Sequence, residues 1–389
     1  MYNVLTLNKI SPKGTSRLGD NYKVSDNEAN PNAVMIRSAS MHDMELPESL
    51  LAIARCGAGT NNIPKDVCAD KGIVVFNTPG ANANAVKELV LAGLLLSSRK
   101  VVEGIEWAKT LKGNGDQVGK MAEKGKSQFV GPEILGKTLG VVGLGAIGIL
   151  VANSAAALGM KVIGYDPFLS VNNALKLDPS IQVYPTVDDV ITQSDYVTIH
   201  VPLLPDTKDM IDAEAIAKMK DGVRILNFSR DGLVNSADVL AAIKSGKVSK
   251  YVTDFATDDV LAEDGVICLP HLGASTPESE ENCAVMAAQE LNDFIQYGNI
   301  VNSVNLPGCN LPYTGNFRLT FIHGNEVNMV GQITKVLADE GINIEDMINK
   351  GGKDVAYTII DTNKAVSESV ISKLNDINGM IRVRAIEAK

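Results

Sequence analysis

The sequence predicts an α/β protein of two doubly wound parallel-sheet lobes followed by a small βαββαβ module. Three observations lead there. Short β-branched runs alternate with helix-length segments through the middle of the chain, a glycine fingerprint joins one such run to a helix, and the rhythm changes after residue 314.

The first lobe opens with apolar runs at 33–36, 51–55 and 73–76, separated by turns such as Cys56-Gly57-Ala58-Gly59 and Thr78-Pro79-Gly80. Residues 86–111 form one long helical pattern, broken only by Gly93 and Gly104, and the loop-prone stretch 113–131 follows. Strands are then expected at 139–142, 162–165, 196–199, 224–227 and 266–269. They are short and β-branched, as strands covered on both faces require. An amphipathic helix at 277–297 returns the chain to the first lobe. Residues 302–314 carry Pro307, Gly308 and Pro312 without apolar periodicity and read as a linker. The tail alternates as strand 317–322, helix 327–340, strands 344–349 and 355–361, helix 367–377 and strand 381–386, a ferredoxin-like split. The expected domains are thus 1–86 with 274–301, 87–273, and 315–389 beyond the linker.

Composition excludes several classes of function. A chain of 389 residues, 45% hydrophobic and 21% charged, is globular and too long for one core at roughly 150 residues per domain. A formal charge of −10 gives little support to a nucleic-acid surface. No basic leader precedes an apolar stretch, and no run reaches the roughly 18 apolar residues that would cross a membrane, so a cytoplasmic protein is expected. Cys56, Cys68, Cys268, Cys283 and Cys309 are odd in number and lack metal-ligand spacing, which reads as reduced thiols and no metal site.

The fingerprint Gly143-Leu144-Gly145-Ala146-Ile147-Gly148 follows a strand and opens an Ala-rich helix. Its glycines allow a tight turn and the approach of a pyrophosphate to the helix N-terminus, the arrangement of Rossmann-like lobes. Asp166 ends the next strand, where a carboxylate accepts hydrogen bonds from ribose hydroxyls and repels a 2′-phosphate. NAD is expected over NADP.

Oxidation of an alcohol beside a carboxylate needs a base, a cation and a group that orients the base. Arg230 closes the strand 224–227 and His271 follows the strand 266–269, both at the carboxyl edge where ligands sit in such sheets. Of the four histidines, His271 alone combines that edge with a paired Arg. His42 reads as an exposed loop residue, and His200, before Pro202, as a neighbour of the cofactor.

The fingerprint, Ser194-Asp195 with His200-Val201-Pro202, Asn227-Phe228-Ser229-Arg230, and Pro270-His271 together resemble the D-isomer-specific 2-hydroxyacid dehydrogenase family over nearly the whole chain. The resemblance implies that Arg230 binds the substrate carboxylate and that His271 is the general acid/base. It adds Ala146, Ile147, His200, Pro202, Ser229, Asp254 and Gly273 to the cofactor contacts. The family's Asp-Val-Phe-x-x-Glu reads here as Asp254-Phe255-Ala256-Thr257-Asp258-Asp259. That puts Asp259, one methylene shorter, in the place of the Glu that bonds the His, with Asp258 or a bridging water as the alternative. Asp231 stands where the family usually has Gly.

Arg37-Ser38-Ala39-Ser40, the stretch 56–62 and Phe76-Asn77-Thr78-Pro79 resemble the substrate-side motifs of the phosphoglycerate-oxidising members. The implied substrate is D-3-phosphoglycerate, whose oxidation opens the branch to serine. Its carboxylate would meet the N–H groups of Gly57, Ala58 and Gly59, with Ser38 and Asn77 beside them. Its phosphate would meet Arg37 and, second, Arg55. The tail resembles an ACT regulatory domain, which implies edge-to-edge pairing, a homo-oligomer and an L-serine effector at His323, Asn325 and Asn343. It departs from that pattern at Asn325-Glu326-Val327-Asn328, where a Pro-Gly turn is missing. Reduction of another 2-oxo acid, such as hydroxypyruvate, glyoxylate or 2-oxoglutarate, and a non-catalytic NAD-sensing scaffold are the rival readings.

Overall fold

The computed structural model describes residues 1–314 and 317–386. The chain divides into two compact units, one of residues 1–82 with 277–389 and the other of residues 83–276.

The first unit begins with a parallel sheet of β1 (Tyr2–Leu7), β2 (Tyr22–Ser25), β3 (Ala33–Ile36), β4 (Ala52–Arg55) and β5 (Val74–Asn77), in the order β2-β1-β3-β4-β5. The two N-terminal strands are an addition to the sequence reading, because β2 has only four residues, two of them exposed. Alternation sorts the sheet's side chains to two faces. Ala33, Met35, Ala52, Ala54 and Phe76 join Ala284, Ala287 and Leu291 of the helix Pro277–Tyr297, whereas Val34, Ile36, Ile53 and Val75 join Cys68 and Ile73.

The second unit is a seven-stranded, all-parallel sheet. Its strands are β6 (Thr138–Val142), β7 (Lys161–Tyr165), β8 (Gln182–Val183), β9 (Tyr196–Ile199), β10 (Val223–Asn227), β11 (Val248–Thr253) and β12 (Val266–Cys268), in the order β12-β11-β10-β9-β6-β7-β8. The winding reverses between β6 and β9, so the carboxyl ends of those two strands flank the topological switch point. The strand β11 escapes a search for apolar runs because its outer half, Ser249-Lys250, is polar. The long helix expected at 86–111 is two helices, Ala83–Ser98 and Val101–Thr110, parted at Arg99-Lys100. Gly93 does not break the first of them. A Cβ there would lie 2.9 Å from the Phe228 ring, so this glycine lets β10 and the helix close up. The expected loop 113–131 contains the helix Val118–Gly125.

The C-terminal part of the first unit is an antiparallel sheet of β13 (Phe317–Gly324), β14 (Ile344–Gly351), β15 (Val355–Thr362) and β16 (Met380–Ile386), in the order β14-β15-β13-β16. With the helices Met329–Asp339 and Glu368–Asn375 it has the βαββαβ order that was read from sequence. Two ends of the expected module, 315–316 and 387–389, lie outside the described residues.

Residues 302–314, read as a linker, put three side chains into the core of the first unit. Leu306, Cys309 and Leu311 are buried, and Val304 donates its N–H to the Val75 carbonyl. Arg318, 1% exposed, forks onto Asp361 at 2.6 and 2.7 Å and donates to the Tyr297, Leu311 and Pro312 carbonyls. Arg384 donates to the Phe294 and Ile295 carbonyls at the end of the long helix. Apolar periodicity is absent from 302–314 because its backbone is held by these cross-bonds and not by regular structure. Among the described residues no helix is long and apolar enough to cross a membrane.

Candidate active site

The glycine loop lies between β6 and the helix Ala146–Ala157. Gly143 has φ +96°, and a Cβ on it would sit 2.6 Å from the His200 carbonyl oxygen; one on Gly148 would sit 1.9 Å from the Gly143 carbonyl oxygen. Both positions are closed to any side chain. Gly145, in contrast, faces open space, and the N–H groups of Gly145, Ala146 and Ile147 donate to no protein acceptor among the described residues. A helix N-terminus with such N–H groups fits a pyrophosphate. Asp166, at the end of β7, accepts the Leu144 N–H on Oδ2 and the Phe168 N–H on Oδ1, each at 2.8 Å. These bonds set the carboxylate at the mouth of the loop and leave each oxygen a further lone pair for a ribose hydroxyl.

The edge of β9 supplies His200. Its Nε2 lies 3.0 Å from Thr198 Oγ1 while Nδ1 is sealed without a partner, and burial pushes the ring down to about 4. A ring that stays neutral suits a border role and not proton transfer. Pro202 follows it, with its carbonyl held by Thr207 Oγ1.

Arg230 stands just past β10 and is exposed. Buried Asn227 shapes the turn, giving its Nδ2 to the Arg230 carbonyl and taking the Ser229 N–H, while Ser229 Oγ donates to the Val201 carbonyl at 2.7 Å. Asp231, unexpected at its position, accepts the N–H of Gly232, which has φ +82°. His271, past β12, is likewise exposed, its ring edge-on to Phe255 at 5.3 Å. No hydrogen bond ties its imidazole among the described residues.

Asp259, the carboxylate expected to orient that imidazole, makes its side-chain bond elsewhere in this structure. Asp259 is exposed in the first turn of the short helix Asp258–Leu261, where its Oδ1 takes the Thr257 hydroxyl and its pKa is lowered by that bond. Asp258 lies in the same exposed turn. The shorter side chain is recruited by the helix start before it can reach elsewhere. Asp254, placed by resemblance among the cofactor contacts, is the acid whose charge acts on His271. It is 3% exposed, its Oδ2 accepts the Gly273 N–H at 3.2 Å, and Oδ1 is buried without a partner. Burial pushes this carboxyl up, and the His271 charge and the N–H groups of Gly273 and Leu272 pull against that rise. The sequence signal was β11 itself, the strand that apolar periodicity missed.

In the first unit, Gly57 has φ +151° and stands against the Arg55 guanidinium. The N–H groups of Ala58 and Gly59 donate to no protein acceptor among the described residues. The loop is braced by Asn77 Nδ2 on the Ala58 carbonyl at 2.6 Å and by the Thr78 N–H on the Gly57 carbonyl. Arg37, expected to hold a phosphate, is ion-paired with Glu280 at 2.8 Å. Its turn depends on two residues that sequence reasoning missed. Asn8, at φ 77°, accepts the N–H groups of Arg37, Ser38 and Ala39 on one oxygen. Asn62 donates to the Arg37 and Ala39 carbonyls. An Asn closing an unrecognised first strand was the available signal.

The three effector candidates do not converge within one chain. His323, 2% exposed, is held by the Gly324 carbonyl and Thr358 Oγ1, and Asn325 Nδ2 donates to the Gly352 carbonyl. Asn343 precedes β14 at the Thr362 end of the sheet, whereas His323 pairs with Ala356 at the other end.

Residues 91–273 match the family model described as D-isomer specific 2-hydroxyacid dehydrogenase, NAD binding domain. The chain is 34% identical over 352 residues to the D-3-phosphoglycerate dehydrogenase of Escherichia coli strain K12, covering 87% of this chain and 82% of that one. It is also 34% identical over 285 residues to the enzyme of that name from Synechocystis, of whose length it spans 49%. Among solved structures, the NAD-bound 3-phosphoglycerate dehydrogenase of Entamoeba histolytica aligns over 78% of this chain and 98% of its own with a TM-score of 0.59 at 23% identity. A glyoxylate reductase from Paecilomyes thermophila aligns over 78% and 98% with a TM-score of 0.64 at 24% identity. Both share the fold.

Proposed function

The chain belongs to the D-isomer-specific 2-hydroxyacid dehydrogenases and is an NAD-dependent enzyme, and we propose that it oxidises D-3-phosphoglycerate to 3-phosphohydroxypyruvate, opening a branch to serine. The observation that carries the chemistry is Arg230 and His271, both exposed at the carboxyl edge of one nucleotide-binding sheet. Arg230 holds the substrate carboxylate and draws charge toward the forming carbonyl. His271 takes the hydroxyl proton, and buried Asp254 steadies the imidazolium that results. Ala58 and Gly59 offer N–H groups to the carboxylate. When bound, NAD supplies the hydride acceptor; the glycine loop, Asp166, His200, Pro202, Ser229 and Gly273 hold it.

Arg37 contacts the substrate phosphate once it leaves Glu280. That ion pair is the observation favouring the second reading, a dehydrogenase for an unphosphorylated 2-hydroxy acid. NADH formation with D-3-phosphoglycerate, D-glycerate, D-lactate and 2-hydroxyglutarate at pH about 9 separates the two. Selective turnover of the phosphorylated acid is expected, and equal turnover of D-glycerate would favour the rival.

The tail acts as an ACT-type regulatory module in a homo-oligomer, a reading supported by its βαββαβ order and by β14, an exposed edge strand. L-serine inhibition requires a second copy to bring Asn343 beside Asn325 and His323. Loss of activity on adding serine, with sedimentation of the full-length chain above the monomer's, tests both. A cytoplasmic setting agrees with five free cysteines.

A further inference from the structure

Glu290, on the helix Pro277–Tyr297, is a buried carboxyl that the chemistry above does not use. It is 6% exposed; Oε1 accepts Asn302 Nδ2 at 2.8 Å, and Oε2 is sealed without a partner. Asn302 has φ 58°, and its carbonyl takes the Asn77 N–H at 3.4 Å, beside an antiparallel bridge between Phe76 and Ser303. Asn77 and Thr78 are the two residues that brace the carbonyls of Ala58 and Gly57. A continuous line of hydrogen bonds thus runs from Glu290 through Asn302 to the loop 57–59.

We propose that Glu290 is a positioning residue that, through Asn302, sets the loop whose N–H groups receive the substrate carboxylate. This rests on the reading of 57–59 as that loop. An ordinary surface Glu would not do, because the bond must be made away from water and the pair must hold one geometry.

The surroundings make the brace sensitive to pH. Burial pushes Glu290 up to about 8 from 4.5, Asp293 on the same helix adds to the rise, and the Asn302 bond opposes it. From the strand side the facing titratable group is Cys56, itself pushed up to about 12 by burial, with Arg37 and Arg55 acting on that thiol. Arg37 is taken by Glu280 of the helix, and Lys13 by Glu281. No cation is hydrogen-bonded to Glu290 among the described residues. The folded-state value lies above the unfolded one. The stabilisation is therefore whole below about 4.5 and is lost as pH rises through about 8. Ionisation charges the carboxyl whose Oε2 is sealed without a partner, and the packing around the Glu290–Asn302 contact must loosen to admit water to it.

The test compares the full-length wild type with Glu290→Gln and Glu290→Ala between pH 6.5 and 9.5. Hydrogen–deuterium exchange of the peptide spanning 56–62, corrected for intrinsic rates, reads the loop; KM for the acid, KM for NAD and kcat read its use. In the wild type, loop exchange and the acid's KM rise together through pH 8, the KM by about ten-fold, with NAD's KM flat and kcat within about two-fold. Glu290→Gln flattens both rises, and Glu290→Ala starts at the high values. Equal loop exchange in wild type and Glu290→Gln across the range, or parallel KM profiles, would overturn the inference. Should no acid turn over, the exchange data still decide it, and the failure belongs to the proposed activity. Should Glu290→Ala not fold, the wild type and Glu290→Gln suffice.

Discussion

The two halves of the proposed chemistry are built differently. In the unit 83–276 the proposed working side chains, Arg230 and His271, stand exposed at strand ends, and no hydrogen bond ties the imidazole among the described residues. In the other unit the proposed working groups are backbone N–H groups on loops that are cross-braced, by the side-chain amides of Asn8 under 37–39, Asn62 across them and Asn77 under Ala58, and by the Asn302 carbonyl under Asn77. A side chain that must gain and lose a proton is served by a rigid sheet edge and freedom to turn. A backbone donor carries no rotamer of its own, so its aim comes entirely from neighbours.

The comparison can be broken most forcefully at His271. Its replacement by Ala should lower kcat by roughly 10²–10⁴-fold while NADH binding, followed by fluorescence, is retained; an unaltered kcat would remove the base from this edge. In the braced unit the largest expected effect is on stability. Arg318→Met strands Asp361 in the core and should cost about 3–5 kcal/mol by denaturant titration, and an unshifted midpoint would mean the fork is not a staple.

A smaller effect is expected at Asn8. Asn8→Gly keeps the positive φ but frees three N–H groups, and should raise the acid's KM by about ten-fold without moving that of NAD. A rise in both constants would point to global loosening. The finest distinction lies between two acids. Asp254→Asn should lower kcat by about ten-fold, whereas Asp259→Ala should leave it within about two-fold. The reverse order would return the orienting role to Asp259 and make the Thr257 bond a resting arrangement.

Much of the site was legible because its cues are local. A glycine fingerprint between a strand and a helix, a carboxylate at the next strand's end, and polar residues closing apolar strands each require only a few consecutive residues to be recognised. The strand-end positions of Asp166, Arg230 and His271 follow from such cues, as does the βαββαβ order of the tail. What escaped depended on partners distant in sequence. β1 and β11 are strands by virtue of the sheet neighbours that pair with them, not by their own apolar content.

The sequence by itself determined the two kinds of sheet, the glycine loop and the placing of Arg230 and His271 at strand ends, because hydrophobic period and turn chemistry act within a few residues. Tertiary structure alone decided that Arg37 meets Glu280, 243 residues away, that Asp254 feels the charge of His271 while Asp259 bonds Thr257, and that Leu306, Cys309 and Leu311 are buried. Such pairings follow from where separate segments come to rest. A charge takes the partner that burial brings within reach, and chain order does not encode that distance.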